Sequence, residues 1–520
     1  METVKITGDA LTINGVVAVA RHGARVAALD AQVEQRMQAS REWLEKRLAD
    51  PDAVVYGVNT GFGPLATTKI TLEETRILSR NVILACLVGV GLPLPPEVVR
   101  AMMLIRANTF ALGHSGVRPL ITETLIQMLN RGVTPYVPEK GSLGASGDLA
   151  PLAHIAVVFT RDPASDGDSH SGRAWFEGEL LTGAEAMKRA GISSIILEAK
   201  EGLALTNGTN MMLAMAALGL ADARDLLVQA EIAGALSLEG LLGLSQALYP
   251  ALHEASCQPG QIKCAAHLRH LLDGSQLIDA QPERVQDPYS LRCIPQVLGP
   301  VRDILDFLSG RVSDALNAAI DNPLIFLEDD KAGAVVSGGN FHGQGPGLWL
   351  DSLASAVSVI GNIAERRIFR LLTPELNNGL PAMLTPGSGL NSGMMMLQYT
   401  AAALVSDNKT LAHPDTSDSI PSSGNQEDYV SMGANAARHA WEILENVRHI
   451  VAIELLTAAQ AVDLRENGPA RLAGATRRVY EQVRAVAQPL SHDREFTADI
   501  AAVKELLAQN QLQAGALPDS

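Results

Sequence analysis

The densest chemistry in this 520-residue chain lies in a run of small residues, Gly141-Ser-Leu-Gly-Ala-Ser-Gly-Asp-Leu-Ala-Pro-Leu-Ala-His154. Two familiar chemistries fail on it. A hydrolase nucleophile elbow needs Gly-x-Ser-x-Gly, and Gly144-Ala-Ser-Gly147 is one residue short. A phosphate-binding loop needs a Lys-Ser/Thr pair after its glycines, and none follows here. The plain structural reading is a helix start, with Ser146 or Asp148 capping Leu149 to Val158. A covalent reading also exists. Gly147 has no Cβ, so its backbone nitrogen can approach the Ala145 carbonyl carbon in a tight turn, and Ala145 is too small to obstruct ring closure. Ser146 between them can then lose its hydroxyl as water. The product is a five-membered ring with an exocyclic methylene, an electrophile made from the chain alone.

The elements that must position this loop are mostly helices. Hydrophobic residues make up 47% of the chain and charged residues 19%, which excludes disorder and demands extensive burial. Aromatics are only 4%, so the apolar mass is Ala, Leu, Val, Ile and Met, a mix that favours packed helices over a β-sandwich. Segments 208–248, 297–318, 346–372, 393–412 and 432–464 are long and apolar with few breakers, and predict a bundle whose central helices are nearly enclosed. Ahead of them, residues 53–64 read as a short strand entering a Gly-rich loop, and 72–130 as helical with a break at Gly89 to Pro96. Asp162 to Gly172 reads as a surface loop before a short hairpin. The predicted class is mainly α, organised as a mixed N-terminal region 1–207, a long-helix bundle 208–480 and a helical tail 481–520.

The charge balance, 41 Lys+Arg against 57 Asp+Glu, argues against nucleic acid as a partner. Four cysteines are too few for a disulfide framework, no signal peptide is evident, and polar residues interrupt the long uncharged stretch Gly202 to Ala221. The cysteine count, the N-terminus and the polar residues within Gly202 to Ala221 predict a reduced, cytoplasmic protein without a membrane span. Cys264, His267 and His270 stand at helical spacing but lack a fourth ligand, so the expectation is an exposed helix edge and no metal.

The Gly141 to His154 run resembles the signature of the aromatic amino-acid ammonia-lyases, the group of histidine, phenylalanine and tyrosine ammonia-lyases and related aminomutases. The resemblance extends through Tyr56-Gly-Val-Asn-Thr-Gly-Phe-Gly63, Leu203-Ala-Leu-Thr-Asn-Gly-Thr209, Val285-Gln-Asp-Pro-Tyr-Ser-Leu-Arg-Cys293, Asp321-Asn-Pro323, Gly338-Gly-Asn-Phe-His342 and Asn425-Gln-Glu-Asp428. It implies a 4-methylidene-imidazol-5-one (MIO) group formed from Ala145, Ser146 and Gly147, with no metal or nucleotide. It also implies elimination of ammonia from an α-amino acid, and a helical homotetramer whose active sites are each assembled from three subunits. By the same resemblance Tyr56 is the catalytic base and Arg292 pairs with the substrate carboxylate through its planar fork. Tyr289 lies close to the prosthetic group, Gln286 is a polar wall residue, Asn207 binds near the carboxylate and the ring, and Phe341 packs by the group. Asn340 and Asp148 are supporting candidates. A catalytically silent helical oligomer is the reading from another class, and the intact tripeptide with Tyr56, Tyr289 and Arg292 argues against it.

Two places bear on the substrate. Ala85-Cys86 stands where the resemblance places Ser-His in histidine ammonia-lyases, leaving a small apolar floor with a weakly polar thiol. Glu427 stands where those enzymes carry a carboxylate. An imidazole nitrogen buried without its histidine partner costs about 1–3 kcal/mol. That penalty sets the expectation at phenylalanine or a substituted phenylalanine, giving a cinnamate-type acid. Histidine giving urocanate, and a 2,3-aminomutase, are the alternatives.

Overall fold

The computed structural model describes residues 3–163, 170–327 and 333–512. It is 58% helical, with 19 α-helices among the described residues, so the mainly-α expectation holds. The five long segments form the helices Asn210–Gly240, Ile294–Leu316, Gln344–Leu372, Met395–Leu411 and Gly433–Asp463. Their Ala/Leu/Met content gives high helix propensity, and Met211 to Leu218 are all buried, so this part of its helix has no solvated face. Gln344–Leu372 has the length and composition to cross a membrane, yet Leu353, Val357, Ile360 and Ile368 on it are buried within the protein.

The chain divides into two compact units, each made of three separate stretches. The first comprises Met1–Ala221, Ser309–Asp351 and Pro414–Arg438; the second comprises Asp222–Leu308, Ser352–His413 and His439–Ser520. This differs from the three consecutive segments that the sequence pattern predicts. Four of the long helices begin in one unit and end in the other, and that is why no linear cut describes the division.

In the first unit, 72–130 forms three helices, Thr75–Ala85, Pro96–Ala111 and Pro119–Arg131. The hairpin after Gly172 pairs Arg173–Phe176 with Glu179–Thr182. The polar run before it falls partly on residues 164–169, outside the described residues. The strand expected at residues 53–55 is absent. Asn59 explains the absence: its Oδ1 accepts from Val55 N at 2.8 Å and its Nδ2 donates to Ala53 O at 2.8 Å, taking the groups a neighbouring strand would use.

In the second unit, Glu454 accepts from Arg367 Nε at 2.5 Å, Arg367 Nη2 at 2.8 Å and Ser237 Oγ at 2.7 Å, all fully buried. Cys264 and His267 are also buried there, which corrects the exposed-edge reading for these two, while His270 is exposed. His267 Nδ1 meets Glu231 at 2.6 Å, and Arg302 Nη2 donates to the same carboxylate at 2.7 Å. The spacing of these residues serves a buried polar cluster.

What positions the 142–148 loop is the convergence of three helix starts in the first unit. Asp148 Oδ2 accepts from Met211 N at 2.8 Å and Met212 N at 3.2 Å, in the first turn of Asn210–Gly240. Gly343 N, one residue before Gln344–Leu372, donates to Gly144 O at 3.3 Å. Met432 N, one residue before Gly433–Asp463, donates to Leu143 O at 2.9 Å. Close approach requires glycine here: a Cβ on Gly144 would fall 2.1 Å from Ser431 Oγ, and one on Gly433 would fall 2.6 Å from Met212 Sδ. Each helix start brings unpaired amides and the positive end of its dipole to the loop.

Asp148 is fully buried, and burial pushes its carboxyl up to about 6 against the lowering pull of the Met212, Ser142 and Met211 hydrogen bonds and of Arg106. A carboxyl raised above its ordinary value of about 4 holds its proton more tightly in the folded chain. Its contribution to stability is therefore greatest below pH ~4 and declines as pH rises to about 6. Asp148→Asn, which keeps an acceptor for Met211 and Met212, should remove a pH-dependent loss of roughly 2–3 kcal/mol over that window. Thermal melts of both proteins at pH 4 and 6.5 check this, and identical pH slopes would contradict it.

Candidate active site

The tripeptide sits in a pinched turn. Ser146 has φ of +54° and Gly147 of +82°, both in the left-handed region. For Ser146 that region is uncommon and is held by its surroundings. Gly208 N donates to Ser146 O at 3.2 Å, and Asp148 N donates to Gly208 O at 2.7 Å, so the turn is clamped on both sides of Gly147. A Cβ on Gly147 would lie 2.2 Å from Gly208 O, and only glycine fits. Gly144 and Gly147 face each other across the turn, with Ala145 and Ser146 at its tip. This is the local shape that ring closure from Gly147 to Ala145 requires, so the residues present fit the methylidene-imidazolone group.

Glu427 meets the loop directly. Ser146 Oγ donates to Glu427 Oε1 at 2.7 Å, while Ser422 Oγ donates to Glu427 Oε2 at 2.8 Å. The Ser422 N–H also donates to Glu427 O at 2.7 Å, closing the tight 422–427 loop around the carboxylate. The Tyr56 loop abuts the same loop: Gly63 N donates to Tyr56 Oη at 3.1 Å, and a Cβ on Gly63 would be 3.0 Å from Ser423 Oγ. The phenol oxygen accepts in this bond, so the contact does not take its proton. Tyr56, Ser146 and Glu427 are thus carried on three loops packed in sequence.

Asn207 is buried, and its carbonyl accepts from Arg106 Nη2 at 2.5 Å. Arg106 Nη1 also donates to Ala204 O at 3.0 Å, so one buried guanidinium fixes the segment against which the tripeptide is clamped. Burial pulls that guanidinium down to about 10. Asn207 ends the helix Glu201–Thr206. Phe341 is half-buried, two residues before the Gly343 amide that bonds Gly144. Asn340 Nδ2 donates to Ala319 O at 3.0 Å. Ala85 ends the helix Thr75–Ala85 and is exposed, while burial pushes the thiol of Cys86 up to about 11, leaving it neutral. That helix lies backbone to backbone on Glu201–Thr206, since a Cβ on Gly202 would fall 2.0 Å from Ser79 O.

Gln286, Tyr289 and Arg292 lie in the second unit. The Arg292 guanidinium sits 4.7 Å from the Tyr289 ring centroid and donates to Gln286 Oε1. Asp287, buried between them in sequence, accepts from Leu244 N at 2.7 Å and pairs with Arg284, which anchors the segment. Tyr289 is 71% exposed, and Arg292, Gln286 and Cys293 border a cavity of about 680 Å³.

Sequence reasoning misses Arg106 and Ser422, and gives Asp148 only a supporting place. A carboxylate immediately before the apolar helix Leu149–Phe159, and an arginine within the apolar Pro96–Ala111, are the available signals.

An Aromatic amino acid lyase family model matches residues 11–485. A histidine ammonia-lyase of Symbiobacterium thermophilum is 49% identical over 515 residues, 99% of this chain and 98% of the relative. The crystal structure of histidine ammonia-lyase from Trypanosoma cruzi superposes with a TM-score of 0.88 at 38% identity, over 98% of this chain and 94% of that one. Tyrosine aminomutase from Streptomyces globisporus superposes with a TM-score of 0.90 at 36% identity, over 99% and 100%. The chain belongs to the aromatic amino-acid ammonia-lyase family and is a carbon–nitrogen lyase.

Proposed function

We propose that this lyase eliminates ammonia from L-histidine to give urocanate, in the cytoplasm, with an MIO group formed from Ala145, Ser146 and Gly147. The phenylalanine expectation is thereby corrected: relatives 45–49% identical over nearly their whole length are histidine ammonia-lyases. The observation that carries the histidine reading is the Glu427 carboxylate, 2.7 Å from Ser146 Oγ. The phenylalanine expectation penalises an imidazole for lacking a partner at Ala85-Cys86. An acceptor held at the reactive serine supplies that partner, so the penalty of about 1–3 kcal/mol falls instead on a phenyl ring that leaves Glu427 Oε1 without a donor.

In this reading Glu427 accepts the imidazole N–H and Arg292 forks onto the substrate carboxylate. Tyr56 takes the β-proton, and Asn207 and Phe341 line the space beside the reacting group. The MIO ring supplies an electrophilic carbon that makes the amino nitrogen a leaving group. Three helix starts aimed at the loop favour negative charge as it develops there. We assign the protein to a homotetramer in which Gln286, Tyr289 and Arg292 of other copies complete each site. Supporting this, apolar side chains stand exposed on each unit, among them Leu92 and Val88 on the first and Tyr249 and Val285 on the second.

Ultraviolet detection of urocanate from L-histidine tests the reaction, and absence of product from the full-length chain would refute it. Ser146→Ala should keep the fold, as read by circular dichroism, and abolish both the loss of two waters and turnover; retained turnover would refute the prosthetic-group assignment. Tyr56→Phe should still lose two waters while kcat falls about 10²–10⁴-fold. A fully active variant would rule Tyr56 out as base.

A further inference from the structure

Ser146 Oγ donates to Glu427 Oε1 at 2.7 Å, so the carboxylate meets the hydroxyl that formation of the electrophile must expel. We propose that Glu427 acts twice, first carrying the proton that expels the Ser146 hydroxyl during formation of the electrophile, and afterwards receiving the substrate ring. The inference rests on the MIO reading above and adds the group that completes its formation.

The chemistry balances without a co-reactant. Ring closure joins Gly147 N to the Ala145 carbonyl carbon. The first water takes the Ala145 oxygen with the amide protons of Ser146 and Gly147. The second step breaks Ser146 Cα–H and Cβ–Oγ and forms Cα=Cβ. Hydroxide is a poor leaving group, so Oγ needs a second proton to depart as water. The Glu427 carboxylate takes up the proton released from Cα and delivers it from Oε1, 2.7 Å from Oγ, to the departing oxygen. The carboxylate ends the step as it began.

The other carboxylate of the loop is committed elsewhere. Asp148 Oδ2 accepts from Met211 and Met212, and its Oδ1 accepts from Ser142 Oγ at 3.0 Å. Glu427 is half-exposed; Ser422 Oγ, 2.8 Å from Oε2, holds its carboxylate toward the tripeptide, and the Ser422 amide bonds its backbone oxygen. Timing follows from the same contact. Loss of the Ser146 hydroxyl removes the donor from Oε1 and leaves an acceptor there for an imidazole N–H, so the substrate partner is released only when the electrophile exists.

The test is the mass of the tryptic peptide Gly141–Arg161 from full-length wild type, Glu427→Gln, Glu427→Asp and Ser422→Ala, with circular dichroism as the fold control. The wild-type peptide should be two waters lighter than its sequence. Gln preserves an acceptor for Ser146 but cannot carry a proton, so dehydration should slow about 10²-fold or more and the peptide should retain the Ser146 water. Asp should restore part of the dehydrated fraction. A Glu427→Gln peptide two waters lighter to the wild-type extent would overturn the proposal. Should Glu427→Gln fail to fold, Ser422→Ala, which loosens the carboxylate without removing it, should give a slowed mixture, and wild-type conversion would overturn the proposal. A wild-type peptide at full mass would instead overturn the MIO reading itself.

Discussion

Three helix starts must meet one loop, and most of the first unit follows from that constraint. Met211 and Met212 bond to Asp148, Gly343 to Gly144 and Met432 to Leu143, so residues 143–148 are held from three directions by backbone amides. Such an approach leaves no room for side chains, which is why Gly144, Gly147, Gly208 and Gly433 all lie within 3 Å of a neighbour in the place a Cβ would occupy. The turn that results places Ser146 at positive φ and brings Gly147 back toward Ala145. Pressing from outside is the buried Arg106, whose bonds to Ala204 O and Asn207 O stiffen the segment behind Gly208. The strain of the loop is local, and the helices that hold it are long and apolar enough to bear it.

The same geometry sets the electrostatics. Helix starts attract negative charge, and two carboxylates answer them in different ways. Asp148 is sealed in and raised to about 6 by burial, so it serves as a buried connection between the loop and the helix Asn210–Gly240. Glu427 remains half-exposed on a loop of its own, bonded to Ser146 and Ser422. One carboxylate is sealed inside and the other stays partly open to solvent beside the tripeptide, and their burial makes the difference.

Much of this is legible in the sequence. The long Ala/Leu-rich runs locate five helices to within a few residues at most of their ends, because helix propensity and burial agree there. Residue size allows the Ala-Ser-Gly tripeptide to close into a ring, and the family resemblance is what implies that it does. Bonds between distant residues are not legible. Nothing local indicates that Asp148 reaches Met211, that Asn59 replaces a strand partner for residues 53–55, or that His267 is buried against Glu231. The substrate expectation fails for the same reason. Residue types alone set Ala85-Cys86 against Glu427, and they do not disclose that Glu427 is bonded to Ser146.

A carboxylate at the tripeptide that selects an imidazole ring is the claim on which the function rests. Its most direct test is kcat/KM for the full-length protein with L-histidine and with L-phenylalanine, followed by urocanate and cinnamate absorbance. A preference for histidine of about tenfold or more is the predicted result, the factor expected when only the phenyl ring leaves Glu427 Oε1 without a donor. Equal values, or a preference for phenylalanine, would contradict it.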